Sequence, residues 1–221
     1  MFDFKKEDNK YLILKNQKNL FIENRCYLYA KSENMATKIV DEINALGYLD
    51  LKKLPLTSLA FFAVSLNSKD KNDIINYLIE SINFDSILYR PENDNVLKIL
   101  MDKNYNYYII SFSKVFSIQL EIIHGTLGSQ KKLNNNILKK NFSSFDCFSL
   151  TLLYKIAKMT NSIILSYYFM LKKYGIKKLE NLTNLESHYQ NSKWGLTKEQ
   201  ELNNKNFLLT LKNFSIFLKT L

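Results

Sequence analysis

Glycine and proline are scarce in this 221-residue chain, five and two residues respectively. Glycine-rich cradles for nucleotide phosphates have little material to draw on, and loops must be few or built from Asn, Asp and Ser. Arginine is scarcer still relative to charge. The chain carries 31 basic residues and a net charge of +10, yet only Arg25 and Arg90 are arginine. Readers of phosphate and base edges rely on the planar, bidentate guanidinium, so this charge does not point to nucleic acid. The lysines are scattered singly and in pairs such as Lys52-Lys53, Lys139-Lys140 and Lys172-Lys173, which is the distribution of a solvated surface. A basic nucleic-acid module stays open as the alternative, to be told apart by a steep salt dependence.

The two cysteines, Cys26 and Cys147, lie far apart without paired spacing, which excludes a disulfide scaffold or zinc site and predicts two buried free thiols. The two histidines, His124 and His188, have no Cys, His or carboxylate at ligand spacing. Serines lack a nucleophile-elbow glycine pattern. Asp102, Asp146 and Glu180 are isolated in sequence, and no catalytic residue, metal ligand or cofactor site is assigned; a small-molecule enzyme with a dispersed site is the second alternative. The segment from Met159 to Leu171 is free of charge but falls short of the ~20 residues a membrane span requires, so it predicts a buried helix rather than insertion. Residues 1–8 bring acids early and no apolar stretch behind a basic start, which predicts a cytoplasmic protein rather than a secreted one.

What is abundant is core material, 46% apolar and 14% aromatic residues. Tyr11 to Leu14 and Leu20 to Ile22 flank the polar Lys15-Asn-Gln-Lys-Asn19, the pattern of a hairpin, and Cys26 to Ala30 adds a third β-prone run. Ser32 caps a predicted helix with Met35, Ile39, Ile43 and Leu46 on one face, ended by Gly47. After Leu54-Pro-Leu-Thr57 the chain turns mainly helical. Asp70 is placed as a cap ahead of Ile74, Ile75, Leu78, Ile79 and Ile82, and Asn95 to Phe116 forms a second helix. The alternation of Ile118 to Ile122 predicts a half-exposed strand, and Asn134 to Asn136 a loop. Asp146 to Lys173 predicts one long helix ended by Tyr174-Gly175. Residues 178 to 221 add one or two helices with Leu202, Phe207, Leu211, Phe214, Phe217 and Leu218 inward. The fold class is therefore α+β: a small N-terminal β domain with one helix over 1–53, and a larger, mainly helical domain with a short strand over 54–221.

Four segments in this order resemble the ATP synthase assembly chaperones specific for the alpha subunit. They are Leu54-Pro-Leu-Thr-Ser-Leu-Ala60; Phe84-Asp-Ser-Ile-Leu-Tyr-Arg90, similar to an Asp-x-x-x-Tyr-Arg motif; Thr160-Asn-Ser-Ile-Ile-Leu165, similar to a Thr-Gly-Ser start of a core helix; and Leu185-Glu-Ser-His-Tyr-Gln-Asn-Ser-Lys-Trp-Gly195, similar to an acidic, aromatic-Gln, Trp-Gly signature. The resemblance departs at the hairpin, at Glu42-Ile43, at Asn161 in place of glycine, and at Thr197 where an acid is expected. It implies a non-catalytic protein without cofactor that binds the unassembled alpha subunit as a monomer. The implied location is the cytoplasm of an alphaproteobacterium, or a mitochondrial matrix. The motif positions it implies for partner binding are Pro55, Leu56, Thr57, Leu59, Asp85, Tyr89, Arg90, Glu186, Tyr189, Gln190, Trp194 and Gly195. The structural alternative makes Trp194 a core anchor, Gly195 a helix terminator, and Arg90 the partner of Asp85 or Glu186.

Overall fold

The computed structural model describes residues 1–221 except 23–25, 126–127, 129 and 131–134. The fold is α+β, an N-terminal sheet followed by helices. The chain forms two compact units: residues 1–72, 145–152 and 212–221 make the first, and residues 73–144 and 153–211 the second.

In the first unit, β1 (Phe2–Glu7) pairs antiparallel with β2 (Lys10–Lys15), with Phe2 opposite Lys15 and Glu7 opposite Lys10. A tight turn then leads into β3 (Lys18–Asn19), and the predicted hairpin lies here. Its central residues, Asn16 and Gln17, both take positive φ, 50° and 64°, the twist-matched geometry of two-residue hairpin turns. β4 (Phe21–Ile22) pairs with β5 (Cys26–Tyr27), and β6 (Tyr29–Ala30) pairs antiparallel with β2. Cys26 and Cys147 are free, as predicted, but half-buried rather than buried; the Cys26 thiol reaches the Val64 carbonyl at 3.5 Å.

Helix α1 (Glu33–Leu46) starts where Ser32 Oγ accepts from Met35 N at 3.2 Å and stops at Gly47, whose φ of 83° only glycine adopts without strain. Its buried stripe of Met35, Ala36, Ile39, Val40 and Ile43 packs on β1, β2 and β6. Helix α2 (Pro55–Ser65) has Pro at its first turn, and no cap of its own. The Glu42 carboxylate of α1 supplies one, accepting from Leu56 N, Thr57 N and Thr57 Oγ1 at 3.0, 2.8 and 2.7 Å. An anion there also complements the positive helix end. Aromatic packing closes this unit, with Tyr29 edge-on to Phe148 at 5.5 Å and Phe148 stacked with Phe217 at 6.4 Å.

Helix α3 (Ser68–Ser81) is capped by Asn67, which accepts from Lys69 N and Asp70 N, while Asp70 reaches back to Asn67 N. The predicted cap is thus the third residue of a reciprocal box, one turn inside the helix. In the second unit, two short 3-10 turns (Ile82–Phe84 and Ser86–Leu88) lead into β7 (Tyr89–Arg90), and α4 (Asn95–Phe116) follows at its predicted bounds. β7 pairs parallel with β8 (Ile123–His124). The strand predicted over 118–122 is therefore displaced to 123–124. Within the predicted segment, the Gln130 amide takes the place of a neighbouring strand at Glu121, accepting from its N–H and donating to its carbonyl.

Helix α5 (Asn136–Ser143) begins at the last residue of the predicted loop; Asn134 lies outside the described residues. The single helix predicted over 146–173 is two: α6 (Cys147–Thr160) and α7 (Ile163–Met170). Asn161 at φ 51° breaks the run, and Ser162 caps α7 by accepting from Leu165 N. Seven of the eight α7 residues are buried, so the uncharged stretch packs into the core as expected; among the described residues no helix is long and apolar enough to cross a membrane. Three helices rather than one or two close the chain: α8 (Ile176–Thr183), α9 (Leu185–Trp194) and α10 (Lys198–Thr220). Of the inward positions predicted there, Leu211, Phe214, Phe217 and Leu218 are buried, Phe207 is half-buried, and Leu202 is exposed. The second core is aromatic: Phe116 packs with Phe112, Phe142 and Tyr167 at centroid separations of 4.5 to 6.1 Å.

Candidate functional site

The Asp85 to Arg90 segment is shaped by buried polar groups. Asp85 is 1% exposed; its carboxylate accepts from Ile87 N at 3.2 Å and from Ile164 N at 2.9 Å, with the Ser162 hydroxyl also bonded to it. It therefore caps a 3-10 turn and, across the sequence, the first turn of α7. Burial pushes its pKa up to about 6 despite these donors. Asn161, the glycine substitute of the third motif, adds its carbonyl as acceptor for Ser86 N at 2.9 Å.

Arg90 is also buried, and its partner is neither of the two expected from sequence. Nε donates to Asp102 Oδ1 at 2.8 Å, Nη1 to the Ile87 and Tyr89 carbonyls, and Nη2 to Asn106 Oδ1 at 2.9 Å. Tyr105 lies under the guanidinium at 5.5 Å. Asp102, isolated in sequence, is thus the ion-pair partner of the second arginine, one helical turn from Asn106 on α4. The other two carboxylates set aside as isolated are also engaged. Asp146 caps α6 and pairs with Lys31, and burial, which acts against ionisation, is outweighed so that its carboxyl lies below the usual range. Glu180 contacts His188 Nε2 at 2.8 Å.

Beside Tyr89 and Arg90 opens a cleft of about 810 Å³ within the second unit. Its wall combines Tyr89, Arg90, Glu92 and Asp94 with His124 from β8 and Glu186 from α9. Glu92 lies against Gly125, where a Cβ would come within 2.4 Å of Glu92 Oε1; with φ at 79°, that position is doubly suited to glycine. Asp94 caps α4 through Leu97 N at 2.9 Å and accepts the Tyr189 hydroxyl on both carboxylate oxygens, each at 2.9 Å. Lys193 reaches the same carboxylate at 3.5 Å and lies over the Tyr189 ring at 4.2 Å. The Leu97 N–H foremost, then Tyr189 and Lys193, hold the Asp94 carboxyl below its ordinary range.

The second and fourth motifs are thereby brought together: Tyr89, Arg90 and Glu186 share the cleft, and Tyr189 is tied to its rim. Gln190 donates to Glu186 at 3.1 Å. Gly195 ends α9 at φ 86°, as a terminator does, while Trp194 is 77% exposed and anchors no core. Pro55, Leu56, Thr57 and Leu59 lie apart, at the start of α2 in the first unit, where Leu56, Thr57 and Leu59 are buried. Asp94 and Glu92 are absent from the sequence-based set. An Asp immediately before a predicted helix was a legible cap; nothing in sequence marks Glu92. Among the described residues, no group of three or more His, Cys, Asp or Glu could hold a metal ion.

The model of the ATP12 chaperone protein family matches residues 2–113. No curated protein matches the sequence. Among solved structures, Atp12 from Paracoccus denitrificans is similar with a TM-score of 0.85 at 20% identity, over 99% of this chain and 95% of that one. A point mutant of the same Atp12p gives 0.87 at 20% identity, over 99% and 94%. The Atu1473 protein of Agrobacterium tumefaciens gives 0.86 at 16% identity, over 99% and 83%. At these identities the likeness establishes a shared fold.

Proposed function

The chain belongs to the ATP12 chaperone family, and from that premise we propose that it assists ATP synthase assembly by binding the unassembled alpha subunit and masking the surface that the beta subunit later covers. The observation that carries this reading is the meeting of two motif segments about the cleft: Tyr89 and Arg90 with Glu186, tied by the Tyr189 to Asp94 bond. Residues remote in sequence are held on one rim by structural hydrogen bonds, and that rim presents carboxylates from Glu92, Asp94 and Glu186.

The physical logic is mass action on an adhesive surface. An unassembled ring subunit exposes more contiguous apolar area than a soluble monomer tolerates, and covering it lowers the concentration of the aggregating species. The complex must yield to the beta subunit, which fits an interface of roughly 1,200–2,000 Å² and release without ATP. The protein acts as a cytoplasmic monomer in this reading, without catalysis or cofactor, and Pro55 to Leu59 and Asp85 support the two cores rather than touch the client.

Co-expression with the cognate alpha subunit tests the proposal. Soluble alpha co-purifying with the chaperone is expected, and Glu186→Lys, on an exposed side chain, should weaken the complex by about tenfold with the fold intact. Alpha that stays insoluble, or is ignored in a pull-down with the folded chaperone, would remove the proposal.

A further inference from the structure

Helix α4 is apolar on two sides. Its inner face, Leu97, Met101, Tyr105, Ile109, Phe112 and Phe116, is buried. A surface helix normally carries polar residues opposite such a face. Here the opposite side carries Val96, Ile99, Tyr107 and Ile110, each between 54% and 71% exposed. With Lys103 and Lys114 they recur at spacings of three and four, so all six fall on one narrow stripe. Isolated exposed apolar residues need no explanation, but a periodic row of four along one helix does.

We infer that this outer face of α4 is the surface that receives the client, and that the client segment it fits is an apolar ridge bordered by carboxylates. The inference deepens the proposed function and rests on it. Two observations choose the occupant. The stripe contains two lysines and no acid; the single carboxylate of α4, Asp102, is turned to Arg90. A second copy of this chain laid on the stripe would bring four ammonium groups and no counter-charge, which desolvation penalises. A partner with acids beside its apolar residues satisfies both features at once. Second, the stripe spans about 28 Å at 1.5 Å per residue and about 10 Å in width. A strip of that size is well short of the ~800 Å² per partner of a standard interface. The stripe is therefore too small to hold a stable dimer of this chain, and suits one contact of a client that is later released.

The double variant Ile99→Asp with Ile110→Asp separates this inference from the functional reading. Both side chains are more than half exposed, so circular dichroism and the thermal midpoint should match wild type. Co-purification of the cognate alpha subunit should fall by roughly tenfold or more, as for truncating central contacts of an interface. Lys103→Glu with Lys114→Glu should weaken binding mainly at low salt. If wild type binds alpha and the aspartate pair binds equally well, the surface assignment is overturned while the function stands. If wild type does not bind alpha, the function falls and the assignment with it. Concentration-dependent dimerisation of wild type that the aspartate pair abolishes would make the stripe a self-interface, and retention on anionic vesicles abolished by the same pair would make it a lipid contact; either result overturns the assignment.

Discussion

Two buried or strained side chains set sharp expectations at the scale of single residues. Asp85 has a folded pKa near 6 against an ordinary value of 3.8. The folded protein therefore holds this proton more tightly than the unfolded chain between those values. Its contribution to stability is complete below about pH 4. It declines as pH rises through 6, by about 3 kcal/mol in all. Asp85→Asn, titrated by denaturant unfolding from pH 4 to 7, should lack this decline. Asn161 makes a different point. At φ 51° it takes a left-handed conformation that glycine adopts most easily, and Asn is among the few side chains that tolerate this region. Asn161→Ala should cost about 1 kcal/mol in denaturant unfolding, whereas Asn161→Gly should be neutral within about half of that. The helix break at Asn161 was not foreseen in sequence: the uncharged run of Met159 to Leu171 concealed it, because periodicity cannot distinguish one buried helix from two.

Elements are legible in this chain where their signals are local. α1 begins and ends at Ser32 and Gly47, where cap and terminator directly flank a periodic face, and α4 keeps its predicted bounds. Elements that depend on a distant partner are not. The β7 and β8 pair is two residues long on each side, and Gln130 occupies the edge where alternation suggested a strand. The cleft depends on such partners throughout, since neither Asp102 with Arg90 nor Tyr189 with Asp94 has a spacing rule that predicts it. α2 shows the same dependence in energetic form. Its first turn has no side-chain cap of its own, and Glu42 accepts three hydrogen bonds there from α1. Glu42→Ala leaves those donors without their acceptor and should cost about 2–3 kcal/mol in denaturant unfolding, a charged acceptor being worth more than a neutral one.

For the molecule as a whole, the order of the chain and the composition of its cores differ. The first unit draws on three separate stretches, and the last, residues 212–221, contributes Phe214, Phe217 and Leu218 to its buried set. Each such side chain is worth roughly 1.5–3 kcal/mol of burial. Together they approach the 5–15 kcal/mol that holds a typical domain folded. A chain ending at residue 211 should therefore lose hydrogen-exchange protection at Leu12, Ile13 and Leu28, while amides of α4 stay protected. Ser32 adds a polar tie of the same kind, donating to the Thr220 carbonyl at 2.7 Å. Translation proceeds in one direction, and domains made early ordinarily fold early. Here the strands over residues 2–30 are made well before Phe214 and Phe217, which share their unit. The first unit thus stays open while the second, which lies between its stretches, is synthesised.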